Sequence, residues 1–364
     1  MSVNVGLGHV STAFLIAALM IYSLAVLAFA GDFAFGRPKR SMQAASAAGS
    51  TSGSTSVRTR AEEFATVGAA GGAAAGPGAS GPASGVSGAA GSVPESMPPV
   101  ALSTLRAIMA AGPWVRAGMA LSTAGVLAHA IAVITRGLAV HRAPWGNMYE
   151  FVTALTCFAA IFFLWVMIRY RAWALGVFVI GAVVVILGLA ETLIYTAAGS
   201  LVPALQSYWL SIHVTAMTVS TGVFFVAAVF GVVYLVVDRY HRRVAAGKSQ
   251  PGNGIIARLP SLEQLDRLAY RTVVFGFPIW TFGVMAGAIW ADQAWGRYWG
   301  WDPVETWAFI TWVVYAAFLH ARATAGWRGR RAHYVQLLGF ATLAFNILIV
   351  QVFITGLHSY AGVT

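Results

Sequence analysis

Between two long apolar runs the chain reads Trp295-Gly-Arg-Tyr-Trp-Gly-Trp-Asp-Pro-Val-Glu-Thr-Trp307. Indole and phenol rings join an apolar body to one polar N–H or O–H, which suits them to a membrane surface. Such a belt accounts for one or two rings at a helix end. It does not account for Trp295, Trp299, Trp301 and Trp307 within thirteen residues, interleaved with Gly296 and Gly300, which leave room for a flat ligand to lie against backbone. Asp302 and Glu305 add two carboxylates beside Pro303. Proline suits a first helical turn and acidic groups suit the positive end of a helix, so a helix is expected to start there.

The elements that position this stretch follow from composition. Of 364 residues, 58% are hydrophobic and 10% charged, too apolar for a soluble domain of this size. Residues 9–30 form one apolar run, followed by Arg37, Lys39 and Arg40, and read as a retained anchor rather than a signal peptide. Residues 41 to about 100 are mainly Ala, Gly, Ser, Thr and Pro and read as a flexible cytoplasmic linker. Apolar runs resume at about 113–136, 150–168, 172–190, 208–237, 271–290, 304–321 and 334–356, each near the ~20 residues a bilayer helix needs. The expectation is an all-α, polytopic membrane protein of about eight transmembrane helices: an anchor at 1–35, a linker at 36–105 and a membrane domain at 106–364, with the tryptophan loop at 291–307.

Charge gives orientation. The net charge of +11 lies in short clusters beside the spans, so it speaks for membrane topology and against nucleic acid. Arg169 and Arg171, the group from Arg239 to Lys248, and the group from Arg322 to Arg331 share a side with Arg37 to Arg40. That places the tryptophan loop, both termini and the loops near 137–150 and 191–207 on the outer face of the cell membrane. Glu150 is expected to cap the third span, and Ser261 to start a short amphipathic helix leading into the sixth. The single cysteine, Cys157, lies inside an apolar run, so any thiols in the chemistry come from another protein.

Eight histidines complete the inventory. Imidazole is a usual ligand of haem iron, and haem is a flat ligand that a tryptophan-lined surface would suit. His213, about five residues into a span that starts outside, and His358, just beyond the last span, belong at the level of the tryptophans. His320 lies fifteen residues after Glu305, roughly 22 Å deeper at 1.5 Å per residue. It is either a functional intramembrane group or an inner-headgroup residue beside Arg322. His129 is about 10 Å deep by the same rise and a poor match for His320, so a deep haem site would take its second ligand from another chain. His9 and His141 are outer and spare, while His241 and His333 lie among basic residues and read as solvated.

Taken in order, Pro144 to Glu150 with its Asn-Met-Tyr-Glu, Tyr208-Trp-Leu-Ser-Ile-His213, the tryptophan stretch with Asp302 and Glu305, Leu319-His320-Ala-Arg322 and Gly356-Leu-His358-Ser-Tyr-Ala361 resemble the CcsA/ResC family of system II cytochrome c biogenesis proteins, which carry a "WWD" haem-handling domain. The resemblance covers about 113–364. It implies a haem lyase component working with a CcsB/ResB-type membrane subunit, moving haem b as a transient substrate to the outer face. There the haem is presented for thioether attachment to the Cys-x-x-Cys-His motif of apocytochrome c, with thioredoxin-like proteins keeping the client thiols reduced. Carried over, His213 and His358 hold the iron outside, and His320 ligates haem in transit opposite a histidine of the CcsB/ResB partner. Trp295, Trp299 and Trp301 face the ring, with Asp302 and Glu305 beside them. Arg142 and Arg297 are candidates to pair with the propionates, or are plain surface charges. Three rivals remain: a cytochrome b-like electron-transfer subunit, which needs histidine pairs at matched depth; a solute transporter, which needs internal repeats or broken spans; and a structural or binding-only subunit, which would keep the tryptophans without needing His213 and His358 together.

Overall fold

The computed structural model describes residues 3–36, 107–199, 207–250 and 254–358. The linker expected at 41–100 lies outside them. Eight helices are long and apolar enough to cross a membrane. In chain order they are α1 (Val5–Phe35), α2 (Pro113–Val140), α3 (Met148–Tyr170), α4 (Gly176–Leu193), α5 (Tyr208–Ala245), α6 (Leu262–Trp295), α7 (Pro303–Thr324) and α8 (Arg330–Phe345). The last continues through a π-helical turn, Asn346–Val350, into Gln351–Phe353. No strand occurs among the described residues. This is a multi-pass, all-helical membrane protein, as the apolar runs require.

Helix starts follow local chemistry. The side chain of Asn147 accepts from the Glu150 N–H at 2.9 Å, Ser207 from Trp209 at 3.2 Å and Ser261 from Gln264 at 3.3 Å. Asn147, not Glu150, is the N-cap of α3, with Glu150 in its first turn, while Ser261 caps a helix that leads straight into the sixth span as one element. Large exposed side chains such as Leu24, Leu27, Leu193 and Met285 are at home against lipid.

In lipid, helices gain little from hydrophobic transfer against one another and depend on close packing. Accordingly, the Tyr22 ring of α1 lies over Gly125 and the Phe29 ring over Gly118, where a Cβ would fall 2.6 and 2.7 Å from the aromatic carbons. Helix α5 is the hub: most of its apolar stretch is buried inside the bundle, whereas most of that of α7 is not. It packs along α6 and also meets α3 and α8.

Two polar clusters brace the ends. Toward the tryptophan loop, the fully buried Glu150 lies 3.0 Å from Arg136 and 2.7 Å from Arg142 and accepts the Gly146 N–H at 2.9 Å. At the other end Arg322 grips Asp266 with bonds of 2.8 and 2.9 Å. His333 joins this second cluster. It is only 2% exposed, its Nε2 lies 3.2 Å from Asp266 and its ring stacks on Tyr234, so the expectation of a solvated histidine is overturned. The basic neighbours in sequence point elsewhere because helical rotation turns His333 inward while Arg331 and Tyr334 stay exposed.

Candidate functional site

The tryptophan loop is shaped by its own carboxylates. Helix α6 ends as Gly296 takes the left-handed conformation, at φ 71°, and donates its N–H to Asp292. Helix α7 starts with Asp302 as N-cap, Pro303 in the first turn and a capping box closed by Glu305. One Glu305 oxygen accepts the N–H groups of both Gly300, at 2.9 Å, and Asp302, at 3.2 Å. Successive backbone donors gathered on one anion make a nest, and Glu305 occupies it from within the chain.

Asp302 reaches further. It is 6% exposed and accepts from Val304 N–H at 3.2 Å, Leu357 N–H at 2.7 Å and His358 Nδ1 at 2.8 Å. Burial pushes its carboxyl up, yet the hydrogen bonds from His358 and from the Leu357 and Val304 N–H groups outweigh this and hold it below the usual carboxylate range. It is therefore an anion that can only accept. His358 donates to it from Nδ1, and in the neutral imidazole the lone pair is then on Nε2.

His213 shows the same arrangement from another element. Its Nδ1 lies 2.7 Å from the Gly283 carbonyl, an obligate acceptor, so its lone pair is also on Nε2. The ring rests directly on α6 backbone, and a Cβ at Gly287 would sit 2.6 Å from the imidazole. Trp290 contacts both histidines: it stacks on His213 at 6.2 Å and meets the edge of His358 at 5.9 Å, while Trp295 meets His358 at 5.2 Å.

Both imidazoles line one cavity, whose empty volume is about 1200 Å³, part of it open to solvent. Its lining includes Trp145 to Met148 at the start of α3, Trp290, Trp295, Tyr298 and Trp299 around the tryptophan loop, and Thr221, Trp280 and Asn346. No lysine or arginine lines it among the described residues. The indole N–H groups of Trp145, Trp280, Trp290 and Trp299 and the Asn346 Oδ1 are buried without a hydrogen-bond partner. Orphaned donors of this kind, two imidazoles with matched tautomers and flat aromatic walls fit a planar metal complex bearing carboxylates.

Comparison with known proteins gives the family. The family model described as cytochrome C assembly protein matches residues 145–358. The cytochrome c biogenesis protein CcsA of Heterosigma akashiwo is 35% identical over 245 residues, covering 60% of this chain and 76% of the relative. That of Guillardia theta is 38% identical over 237 residues with the same coverage, 60% and 76%.

This chain belongs to the cytochrome c assembly protein family, alongside CcsA.

A third relative within the family, CcsA of a Synechococcus species, is 41% identical over 180 residues, 45% of this chain and 59% of its own length. Among solved structures, the cytochrome c haem lyase CcmF is similar at a TM-score of 0.47 and 19% identity, over 69% of this chain and 44% of that one.

The cavity gathers some of the sequence candidates and separates others. His213, His358, Trp295, Trp299 and Glu305 line it. Asp302 stands behind His358. Trp301 turns outward and is 67% exposed, and Trp307 packs on Phe345 at 4.3 Å. Arg297 is exposed with its guanidinium against Gly300, and Arg142 is engaged with Glu150 and with the Ala143 and Gly199 carbonyls; neither lines the cavity. The expectation of propionate-binding arginines therefore has no support within the cavity itself. His320 sits exposed on α7, away from the cavity. His129 is fully buried, in edge contact with Tyr22 at 6.0 Å. Sequence reasoning missed Trp145, Trp280, Trp290 and Asn346, along with the glycine seat of His213. The four-residue spacing of Gly283 and Gly287 was a legible sign of close approach.

Proposed function

We propose that the chain acts in cytochrome c maturation by holding haem between the Nε2 atoms of His213 and His358 and presenting it to apocytochrome c. The observation that carries this reading is the pair of Nδ1 hydrogen bonds. Ligating histidines almost always donate the other ring N–H to a carboxylate or a backbone carbonyl, and here one imidazole has each. The tryptophan walls would lie along the ring, and the unpartnered indole N–H groups offer neutral donors to its carboxylates. In the reaction, two client thiols add across the two vinyl groups. Each sulfur bonds one vinyl carbon and the thiol proton ends on its neighbour, with no net change of oxidation state. This chain offers no thiol of its own, since Cys157 is 4% exposed inside α3.

In the same reading the cavity mouth faces outward from the cell membrane, the arrangement favoured by the arginine clusters at the opposite helix ends. His320, on the lipid-facing side of α7, would take haem together with a histidine of a CcsB/ResB-type subunit.

The test replaces His213 or His358 by glycine in the full chain purified with its membrane partner. Each variant is expected to lose or shift the haem absorption of this site and to stop cytochrome c maturation, with partial recovery on adding imidazole. Normal maturation by both variants would sink the ligand assignment.

A further inference from the structure

We propose that Trp301 is the docking residue for the polypeptide that accepts haem, held ready beside the cavity at a conformational cost to the loop; this rests on the function proposed above. Three non-glycine residues among those described have positive φ: His141, Arg171 and Trp301. The first two are the C-caps of α2 and α3, where a left-handed residue is an ordinary helix ending. Trp301, at φ 57°, stands before an N-cap, and a bulky side chain there is strained.

The strain has a visible cause. Glu305 takes the N–H groups on either side of Trp301, at 2.9 and 3.2 Å, and the Thr306 hydroxyl donates to the Trp301 carbonyl at 3.3 Å. The peptide units are turned toward one carboxylate, and the side chain between them points out. Its ring is 67% exposed, yet it is not loose. It meets Trp299 edge-on at 5.7 Å and Phe309 at 6.3 Å.

The occupant follows from what adjoins the ring. Trp299, Glu305 and the 61% exposed Tyr298 all line the cavity, so the exposed aromatic surface is continuous with its mouth. A tryptophan that only anchors the protein in lipid headgroups gains nothing from being fixed to the cavity wall by Glu305. A polypeptide whose two thiols must reach haem at that mouth gains a rigid aromatic anchor one ring away from the reaction. Rigid aromatics are the residues that dominate protein recognition.

Trp301→Asn and Trp301→Gly test this, because both residues accept a left-handed backbone. The full chain is placed in nanodiscs and loaded with haem. The probe is a short labelled peptide carrying Cys-x-x-Cys-His with both cysteines replaced by serine. Peptide affinity is expected to fall about tenfold, the scale of one aromatic hot spot. The haem spectrum should stay unchanged and the unfolding temperature should rise as strain is removed. Equal peptide affinity in wild type and variants overturns the proposal, and a changed brominated-lipid quenching with equal affinity assigns the ring to the membrane. Loss of the haem spectrum also overturns it, placing Trp301 in the haem-holding wall. Peptide binding without haem separates the two failures. A wild-type chain that takes up no haem sinks the ligand assignment, whereas equal peptide affinities sink this one.

Discussion

Among the described residues there are two aspartate–histidine pairs, and their surroundings differ. Asp302 and His358 meet at 2.8 Å beside the cavity; Asp266 and His333 meet at 3.2 Å at the arginine-bearing end. The carboxylate of Asp266 is already matched by Arg322, which grips both of its oxygens and lies over the Tyr270 ring at 4.6 Å. His333 has nothing to offer a ligand. One ring nitrogen faces Asp266, the other lies 3.0 Å from Gln336, and its face is covered by Tyr234 at 3.9 Å. Among the described residues Asp302 has no arginine within ion-pair distance, and its remaining bonds come from backbone N–H groups. Its charge is directed into one imidazole whose ring borders the cavity. What distinguishes the lock from the proposed ligand is therefore the second nitrogen and the neutralising arginine, not the residue pair.

The largest effect expected from breaking this contrast is on stability. Asp266→Ala leaves Arg322, 9% exposed, and His333 without their shared anion, and the cost should be about 3 kcal/mol, the scale of a broken buried pair. Thermal unfolding in detergent measures it, and haem bound by the surviving folded fraction should absorb as in wild type. Asp302→Ala should do the reverse. The fold loses a cap, but haem affinity falls about 10- to 100-fold as His358 loses the partner that orients it. Asp302→Asn, which keeps the shape but not the charge, should fall between. Equal haem affinity in all three proteins would remove Asp302 from the site.

Much of this was legible before any coordinates. The spans could be read because a membrane helix is a long, simple signal, and His213 with His358 could be matched because depth along a helix is a single coordinate. Rotation about that axis is a second coordinate, and there the reading was weaker. In sequence His333 stands among arginines although it faces the core, and Trp301 stands beside Trp299 although its backbone turns it outward. The role of Asp302 was out of reach because its partners, Leu357 and His358, are more than fifty residues away and meet it only after α8 completes its π-helical turn. Trp145 was hidden for the same reason, since nothing local shows which wall a loop will face.

Two smaller effects sharpen the contrast from the side of His213. Its ring lies on α6 backbone because Gly287 has no side chain, so Gly287→Ala should push the imidazole off its seat at a cost on the order of 1 kcal/mol. The shift should appear as an altered axial-ligand signature in electron paramagnetic resonance, whereas Met285→Ala, exposed on the same helix and away from the cavity, should leave the signature alone. His333→Leu is the control with the smallest expected effect on haem. It removes a neutral contact to Gln336 and the approach to Asp266 but keeps Arg322 on that carboxylate, so stability should fall by about 1 kcal/mol. The haem spectrum should not move, because neither His333 nor any of its partners borders the cavity. A shifted spectrum in His333→Leu would mean that the lock at the arginine-bearing end communicates with the ligands at the other, and the division drawn between the two pairs would fail.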